Sequence, residues 1–199
     1  MTPVEFFFDF ASPYGYVASR FIEALSARHG RRVRWRPFML GAAFKATGAE
    51  ALVNYPLKGD YAVHDIARTC RMHRIDFSLP SGFPHAMLAP SRAFYWLHDQ
   101  DEELAKRFAL AIYNAYFVEG RSCSNPDVTA EVAGSLGVER ADILAAMKRL
   151  NIKERLKTET DLAIQRGVFG SPFFLVDGEP FWGADRLDQL EIWLSGGGW

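Results

Sequence analysis

Cysteine and long apolar runs are both scarce in this sequence. Its 199 residues include two cysteines, Cys70 and Cys123, and neither belongs to a metal-ligand spacing. We therefore expect reduced thiols and no metal centre, as is usual for a cytoplasmic protein. No apolar run is long enough to span a membrane, and a strand-like stretch near the N-terminus leaves no room for a signal peptide. The sequence thus predicts a cytoplasmic protein that does not enter a membrane.

An excess of charge of either sign is also missing. The chain carries 24 acidic and 23 basic side chains, a formal net charge of −1. Charge therefore predicts neither a nucleic acid nor an anionic membrane as a partner. Four arginines between positions 31 and 36 alternate with Val33 and Trp35, which is typical of a half-exposed strand. Their basic face is either solvated or a binding patch.

The stretch from Phe6 to Tyr16 carries the strongest local signals. Its apolar start predicts a buried strand, and Ser12 followed by Pro13 predicts the N-cap and first position of a helix. A helix N-terminus stabilises an anion, including a thiolate. Yet Gly15 stands three residues after Ser12, so the junction lacks both sulfurs of a C-x-x-C motif. Ser12 is therefore either an ordinary cap or the holder of a thiolate that a ligand supplies.

The next signals give a β-α-β opening and a long helical region. The first helix is predicted to end at Gly30, and a strand follows at 33–38, so the two strands form a parallel pair. From there to about Gly167 no strand pattern is convincing. The predicted helices in this region span residues 61–75, 86–97, 103–118, 126–136, 141–150 and 152–166.

Strand signals return near the C-terminus. The apolar run 173–176, the turn 177–178 and the run 179–182 predict a β-hairpin. Pro172 is either a tolerated first strand residue or a cis-proline that enters a central strand. Asp185 is predicted to cap the last helix. The order of elements therefore predicts an α/β fold with a large all-helical insertion between a β-α-β half and a β-β-α half.

Four motifs, taken in their order and spacing, resemble a known family. They are FDFASPY, NYPLKG, GVFGSPFF and FWGADRLDQL, at residues 8–14, 54–59, 167–174 and 181–190. Together they resemble the DsbA-like branch of the thioredoxin superfamily, and within it the glutathione-dependent 2-hydroxychromene-2-carboxylate isomerases and the kappa-class glutathione transferases. The resemblance covers essentially the whole chain. It implies a thioredoxin-like fold, with residues 1–40 and 168–199 as the thioredoxin-like domain and 41–167 as the inserted helical domain.

The resemblance implies glutathione as the source of the missing sulfur. The family's serine that matches Ser12 donates a hydrogen bond to the glutathione thiolate, and Ser171 offers its backbone N–H and C=O to the peptide. Asp185 is expected to take the γ-glutamyl ammonium, while the N-terminus of the last helix takes the carboxylate. Trp182, Gly183 and Ala184 are expected to line that approach. Capping and binding can coexist at Asp185.

The same resemblance implies a second, aromatic keto-acid substrate. Lys45, Asn54 and Tyr55 match family positions that contact it, with Lys45 as a counter-charge for its carboxylate or simply a solvated lysine. Lys58 and His85 are further candidates without a secure match. The implied activity is isomerisation, in naphthalene-type catabolism, by a homodimer. A kappa-type glutathione transferase and a redox-inactive thioredoxin-like binding module are the alternatives.

Overall fold

The computed structural model describes residues 2–199, in which the strands form one four-stranded mixed sheet. Along the sheet their order is β2-β1-β3-β4. Strand β1 pairs with β2 in parallel, whereas β3 is antiparallel to both β1 and β4. The strands are β1 (Val4–Phe8), β2 (Val33–Pro37), β3 (Phe173–Val176) and β4 (Glu179–Trp182). The predicted parallel opening pair and the C-terminal hairpin are therefore confirmed.

Ten α-helices accompany the sheet in the described residues, and the segment between β2 and β3 is helical, as predicted. They are α1 (Pro13–Ser19), α2 (Ile22–Arg28), α3 (Leu40–Thr47), α4 (Lys58–Met72), α5 (Leu88–His98), α6 (Glu102–Phe117), α7 (Pro126–Gly134), α8 (Arg140–Lys148), α9 (Leu150–Gln165) and α10 (Leu187–Gly196). Single turns of 3-10 helix lie at Leu52–Asn54 and Ala184–Arg186. The predicted division into a thioredoxin-like domain (1–40 and 168–199) and an inserted helical domain (41–167) stays a prediction.

The first predicted helix is wrong in one respect, because it is two helices. The amide of Arg20 bonds to the carbonyl of Val17 at 3.1 Å, and that of Phe21 bonds to Ala18 at 3.1 Å. These bonds reach three residues back rather than four, so they tighten and end α1. Helix α2 then starts at Ile22. As a result the helix that Ser12 caps is short.

Both faces of the sheet are covered, which explains the unbroken apolar run in β1. Phe6 and Phe8 point into the main core, where their rings contact Trp35 at centroid distances of 5.0 and 5.4 Å. Phe7 points the other way, into a smaller cluster with Phe173 and its neighbours. The sequence of a strand that is buried on both faces is apolar at every position, whereas a strand with one exposed face alternates between apolar and polar residues.

The basic run next to β2 is paired or solvated. Arg31 donates to Asp177, and Arg36 forms ion pairs with Glu5 at 2.5 Å and Glu159 at 2.9 Å. Arg34 is exposed. Because these arginines are neutralised within the fold or face water, this stretch acts as a solvated face rather than as a binding patch.

Candidate functional site

Ser12 lies where the sequence places it, as the N-cap of α1 at the end of β1. Its Oγ accepts a hydrogen bond from the Gly15 amide at 3.0 Å and donates one to the Ser171 carbonyl at 2.8 Å. Pro13 occupies the first helical position, where no amide hydrogen is needed. The side chain is buried, and it contributes to the wall of a cavity.

Ser171 stands opposite Ser12 and precedes a cis-proline, as one of the two sequence interpretations predicts. Its Oγ accepts a hydrogen bond from the Asp9 amide at 2.9 Å. Its carbonyl accepts one hydrogen bond, from the Ser12 hydroxyl, so its predicted use by a ligand needs the second lone pair of that oxygen or its release by Ser12, and stays a prediction. Its amide has no hydrogen-bond partner within residues 2–199. The backbone of Ser171 therefore retains a donor but not an unengaged acceptor.

A cavity of about 1340 Å³ opens beside these two serines. It brings together all the residues proposed from the sequence, although they come from both ends of the chain and from the helical segment. The predicted site residues on its wall are Ser12, Lys45, Asn54, Tyr55, Ser171, Trp182, Gly183, Ala184 and Asp185, and Lys58 and His85 join them. Their individual roles stay predictions. Neither Cys70 nor Cys123 lines this cavity; both are free and buried elsewhere.

One side of the cavity is basic. Lys45 on α3 and Asn54, at the end of a 3-10 turn, are both exposed to it. Tyr55 accepts a hydrogen bond from the Glu50 amide at 3.0 Å, and the Lys58 ammonium lies 5.8 Å from the Tyr55 ring centroid. Within the described residues, neither lysine forms an ion pair, so both charges are available to an anion.

The structure differs from the prediction at Asp185, which also lines the cavity. This residue sits in the 3-10 turn Ala184–Arg186, and α10 starts only at Leu187 without a side-chain cap. The prediction that Asp185 caps the last helix is therefore wrong. Its exposed carboxylate instead accepts a hydrogen bond from Arg186 at 2.8 Å. Trp182 forms the adjoining wall, where its ring packs edge-on against Phe169 at 4.8 Å.

Gly183 allows Asp185 to take that position. Its φ of +110° lies in the region that favours glycine. A Cβ built there would lie 2.3 Å from an Asp185 carboxylate oxygen. The motif Trp182-Gly183-Ala184-Asp185 therefore encodes a backbone shape as well as a set of side chains.

The sequence did not identify two buried groups behind the serines. Asp9 is 4% exposed, and burial raises the pKa of its carboxyl to about 6. Tyr113 on α6 donates to the Asp9 carbonyl at 3.1 Å. Burial also raises the pKa of the Tyr113 phenol well above its ordinary value. In the sequence, Asp9 could have been noticed as an acidic residue between two aromatic residues at the end of a strand. Tyr113 has no feature there that distinguishes it from the other apolar positions of its helix.

Two further pairs reach the cavity. The Tyr14 hydroxyl donates to Asp65 at 2.7 Å, and burial followed by this bond raises the pKa of Tyr14. His85 lies 2.8 Å from the Tyr116 hydroxyl through Nδ1, and burial raises the pKa of Tyr116 to about 12. Both phenols are therefore neutral hydrogen-bonding groups at physiological pH.

The described residues contain neither a metal-binding cluster nor a membrane-spanning helix. Between residues 2 and 199, His, Cys, Asp and Glu side chains form no group of three or more able to hold a metal ion. In the same part of the chain, no helix combines the length and apolar character needed to cross a membrane.

The fold and this cavity define the class of protein. The chain matches the DSBA-like thioredoxin domain over residues 3–194, so it belongs to that family and has a thioredoxin-like fold. It is 31% identical to a 2-hydroxychromene-2-carboxylate isomerase of Sphingobium xenophagum, with 96% of this chain and 97% of the relative covered. It is 27% identical to glutathione S-transferase kappa 2 of Caenorhabditis elegans, over 96% and 91% of the two chains. A solved 2-hydroxychromene-2-carboxylate isomerase superposes with a TM-score of 0.88 at 27% identity, covering 98% and 95%.

Proposed function

We propose that this protein is a glutathione-dependent isomerase that interconverts 2-hydroxychromene-2-carboxylate and trans-o-hydroxybenzylidenepyruvate in naphthalene-type catabolism. The observation that carries this proposal is one cavity of about 1340 Å³ with Ser12, a basic side and the Trp182–Asp185 wall around it. A site for one drug-sized ligand takes roughly 300–1,000 Å³, so this cavity is large enough for two ligands. The relatives named as isomerases suggest the substrate class.

The absence of a cysteine on the cavity wall fits a thiol that arrives with a ligand. Glutathione supplies a thiolate that adds reversibly to a conjugated carbon, so that a double bond becomes single, rotates and re-forms on elimination. Ser12 is the group that holds this sulfur. Its hydroxyl now donates to the Ser171 carbonyl at 2.8 Å, and rotation about Cβ–Oγ would direct the same hydrogen to the thiolate. A charged acceptor makes the stronger bond, which favours that exchange.

The Trp182 side is assigned to the remainder of glutathione. The free amide hydrogen of Ser171 can donate to a peptide carbonyl. Asp185 is a carboxylate for the γ-glutamyl ammonium, and it would exchange Arg186 for that partner. With Gly183 and Ala184, Trp182 forms the wall along which the peptide lies. These assignments rest on the match of the motif and on its position at the cavity.

The basic side is assigned to the aromatic keto acid. Lys45 offers a counter-charge to the carboxylate, and Asn54 offers an amide that both donates and accepts. Tyr55 contributes a ring face near Lys58. Lys58 also lines the cavity, and a second cation on its wall increases its preference for an anion.

The alternatives are a kappa-type glutathione transferase and a redox-inactive thioredoxin-like binding module. A kappa-type glutathione transferase is supported by the relatives of that name. A redox-inactive binding module would be favoured if Lys45 and Asn54 lay away from any cleft, but both line the cavity. A homodimer is implied by the family resemblance alone, and a cytoplasmic location is inferred from the scarcity of cysteine and the strand-like N-terminal stretch.

The test follows free thiol and substrate together. With sub-stoichiometric glutathione, the chromene carboxylate should reach its full isomer equilibrium in a spectrophotometric assay, while the thiol titre stays constant. Lys45→Ala should weaken substrate use and leave glutathione affinity nearly unchanged, because its charge is assigned to the keto acid and it stands on α3, apart in the chain from the Trp182–Asp185 motif. Lys148→Ala, on an exposed face of α8 outside the cavity, is the matched control.

Each outcome separates the candidates. Thiol that disappears in step with product would establish the transferase instead. Failure of glutathione to bind would exclude both enzymes and leave the binding module.

A further inference from the structure

Asp9 is the buried acidic side chain among residues 2–199, and the function proposed above gives it no role. It follows β1 directly and reaches the cavity wall beside Ser12. No described residue forms an ion pair with it. A buried carboxyl without a cation has to be held by hydrogen bonds, and its partners show what it organises.

The Asp9 carboxylate joins two segments of the site. One oxygen accepts from the Ala11 amide at 2.8 Å, within the loop that leads to Ser12. The other accepts from the Leu40 amide at 2.8 Å, at the first residue of α3. Helix α3 carries Lys45, so a single side chain connects the serine loop to the basic side of the cavity.

The Asp9 backbone joins two more segments. Its carbonyl accepts from the Ser12 amide at 2.8 Å and from the Tyr113 hydroxyl at 3.1 Å. Its amide donates to Ser171 Oγ at 2.9 Å. The serine loop, the Ser171 loop, α3 and α6 therefore all meet at one residue.

We propose that Asp9 is the positioning residue of this site, which fixes Ser12 and Ser171 in register with α3 and its Lys45. The catalytic consequence rests on the proposed function, because it requires that a nucleophile at Ser12 and a carboxylate at Lys45 belong to one substrate complex. Small misplacements of reacting groups are sufficient to lower a rate about 100-fold. Asp9 acts through its neighbours and does not itself have to touch the substrate.

The ionised form of Asp9 is the form that holds both amides. Protonation turns one oxygen into a hydroxyl group, which is a weaker acceptor than a carboxylate oxygen, so one of the two amide hydrogen bonds weakens. Burial raises the pKa of Asp9 to about 6, against the opposing effect of these two hydrogen bonds. The titratable groups that act on it from α6 are the Tyr113 and Tyr116 phenols, whose pKa values are raised. Lys45 on α3 and His85, which is bonded to Tyr116, line the same cavity. The arrangement should therefore be complete at neutral pH and loosen in mild acid.

The first test needs no variant and no ligand. In a pH titration of the isotope-labelled protein by NMR, the amide signals of Ala11, Ser12 and Leu40 should move with one shared midpoint near pH 6. Amide signals that stay constant from pH 5 to 8 would overturn the proposal.

The second test uses Asp9→Asn, which preserves size but leaves one acceptor oxygen. We expect kcat to fall about 10–100-fold while glutathione affinity changes little, and the acid limb of the kcat/KM profile near pH 6 should disappear. Asp101→Asn is the matched control, since Asp101 also accepts two backbone amides but lies at the start of α6, away from the cavity. Wild-type kcat in Asp9→Asn would refute the positioning role.

The two proposals fail in different ways. If the wild-type protein shows no glutathione-dependent isomerisation, the proposed function is wrong, and the amide titration still decides whether Asp9 couples these segments. If isomerisation occurs but the amides do not share a midpoint, the proposed function stands and the role of Asp9 falls.

Discussion

Replacing Gly15 by alanine should destabilise the protein, although alanine is the better helix former. A Cβ at position 15 would lie 2.8 Å from the Tyr113 hydroxyl and 3.0 Å from Ser171 Oγ. Overpacking of this kind costs typically about 1–3 kcal/mol, while the gain in helix propensity is roughly 0.5–1 kcal/mol. At the centres of these two ranges the free energy of unfolding falls by roughly 1 kcal/mol, and by at most about 2.5 kcal/mol.

Tyr113→Phe identifies the cause. Alone it removes the hydrogen bond to Asp9 and should cost about 1 kcal/mol. In that background Gly15→Ala should cost clearly less, with a coupling energy of about 1 kcal/mol, since the nearest atom is gone and the Ser171 contact remains.

Urea unfolding of the four proteins at neutral pH measures this cycle. The control is Gly134→Ala at the end of α7, where no atom lies within 4 Å of the new Cβ. That change should be neutral or stabilising. Additive effects in the cycle, or a Gly15→Ala protein as stable as the wild type, would show that Tyr113 does not restrict position 15.

Three more outcomes are expected. Ser12→Ala should bind glutathione with modest loss but isomerise about 10–100-fold more slowly, since one charge-assisted hydrogen bond is removed; a wild-type rate at neutral pH would exclude Ser12 from the mechanism. Ser12→Cys should not reduce insulin efficiently, because Gly15 supplies no resolving sulfur; robust reduction would contradict this interpretation of the site. For Asp9, burial raises the pKa from 3.8 to about 6, so the folded protein binds this proton more tightly than the unfolded chain. The stability of the wild type relative to Asp9→Asn should therefore fall between pH 4 and 7, by about 3 kcal/mol for two pKa units at roughly 1.4 kcal/mol each. Urea unfolding at both pH values checks this, and a difference that does not change with pH would refute it.

Much of the fold could be predicted because its signals are local. The aromatic run of β1 and the Asn125-Pro126 start of α7 follow from short-range chemistry, and both are found. Helix α3 was not predicted, since Ala43 is its one fully buried side chain and leaves little periodic pattern. The break between α1 and α2 depends on which carbonyl each amide selects, and this choice has no composition signature.

The candidate site also contains residues with local sequence signals and residues whose role depends on distant contacts. Ser12 could be found from the sequence because a helix start favours that residue type as its cap, and Trp182 was found only through the resemblance of its motif. Asp9 and Tyr113 could not, since their importance comes from contacts across more than a hundred residues. Asp185 looks like a helix cap in sequence, but the turn before α10 moves the helix start beyond it.

The bond between Ser12 and Ser171 spans 159 residues, and this separation has a consequence for biogenesis. Strand β2 ends at Pro37 and β3 begins only at Phe173, so a ribosome makes the whole helical segment before the second half of the sheet exists. At typical synthesis rates this interval is on the order of ten seconds. During that time β1 has one open edge, and the nascent chain has no cavity. The site can therefore become active only after β3 and β4 have been synthesised. A chain that is truncated before these strands should be inactive.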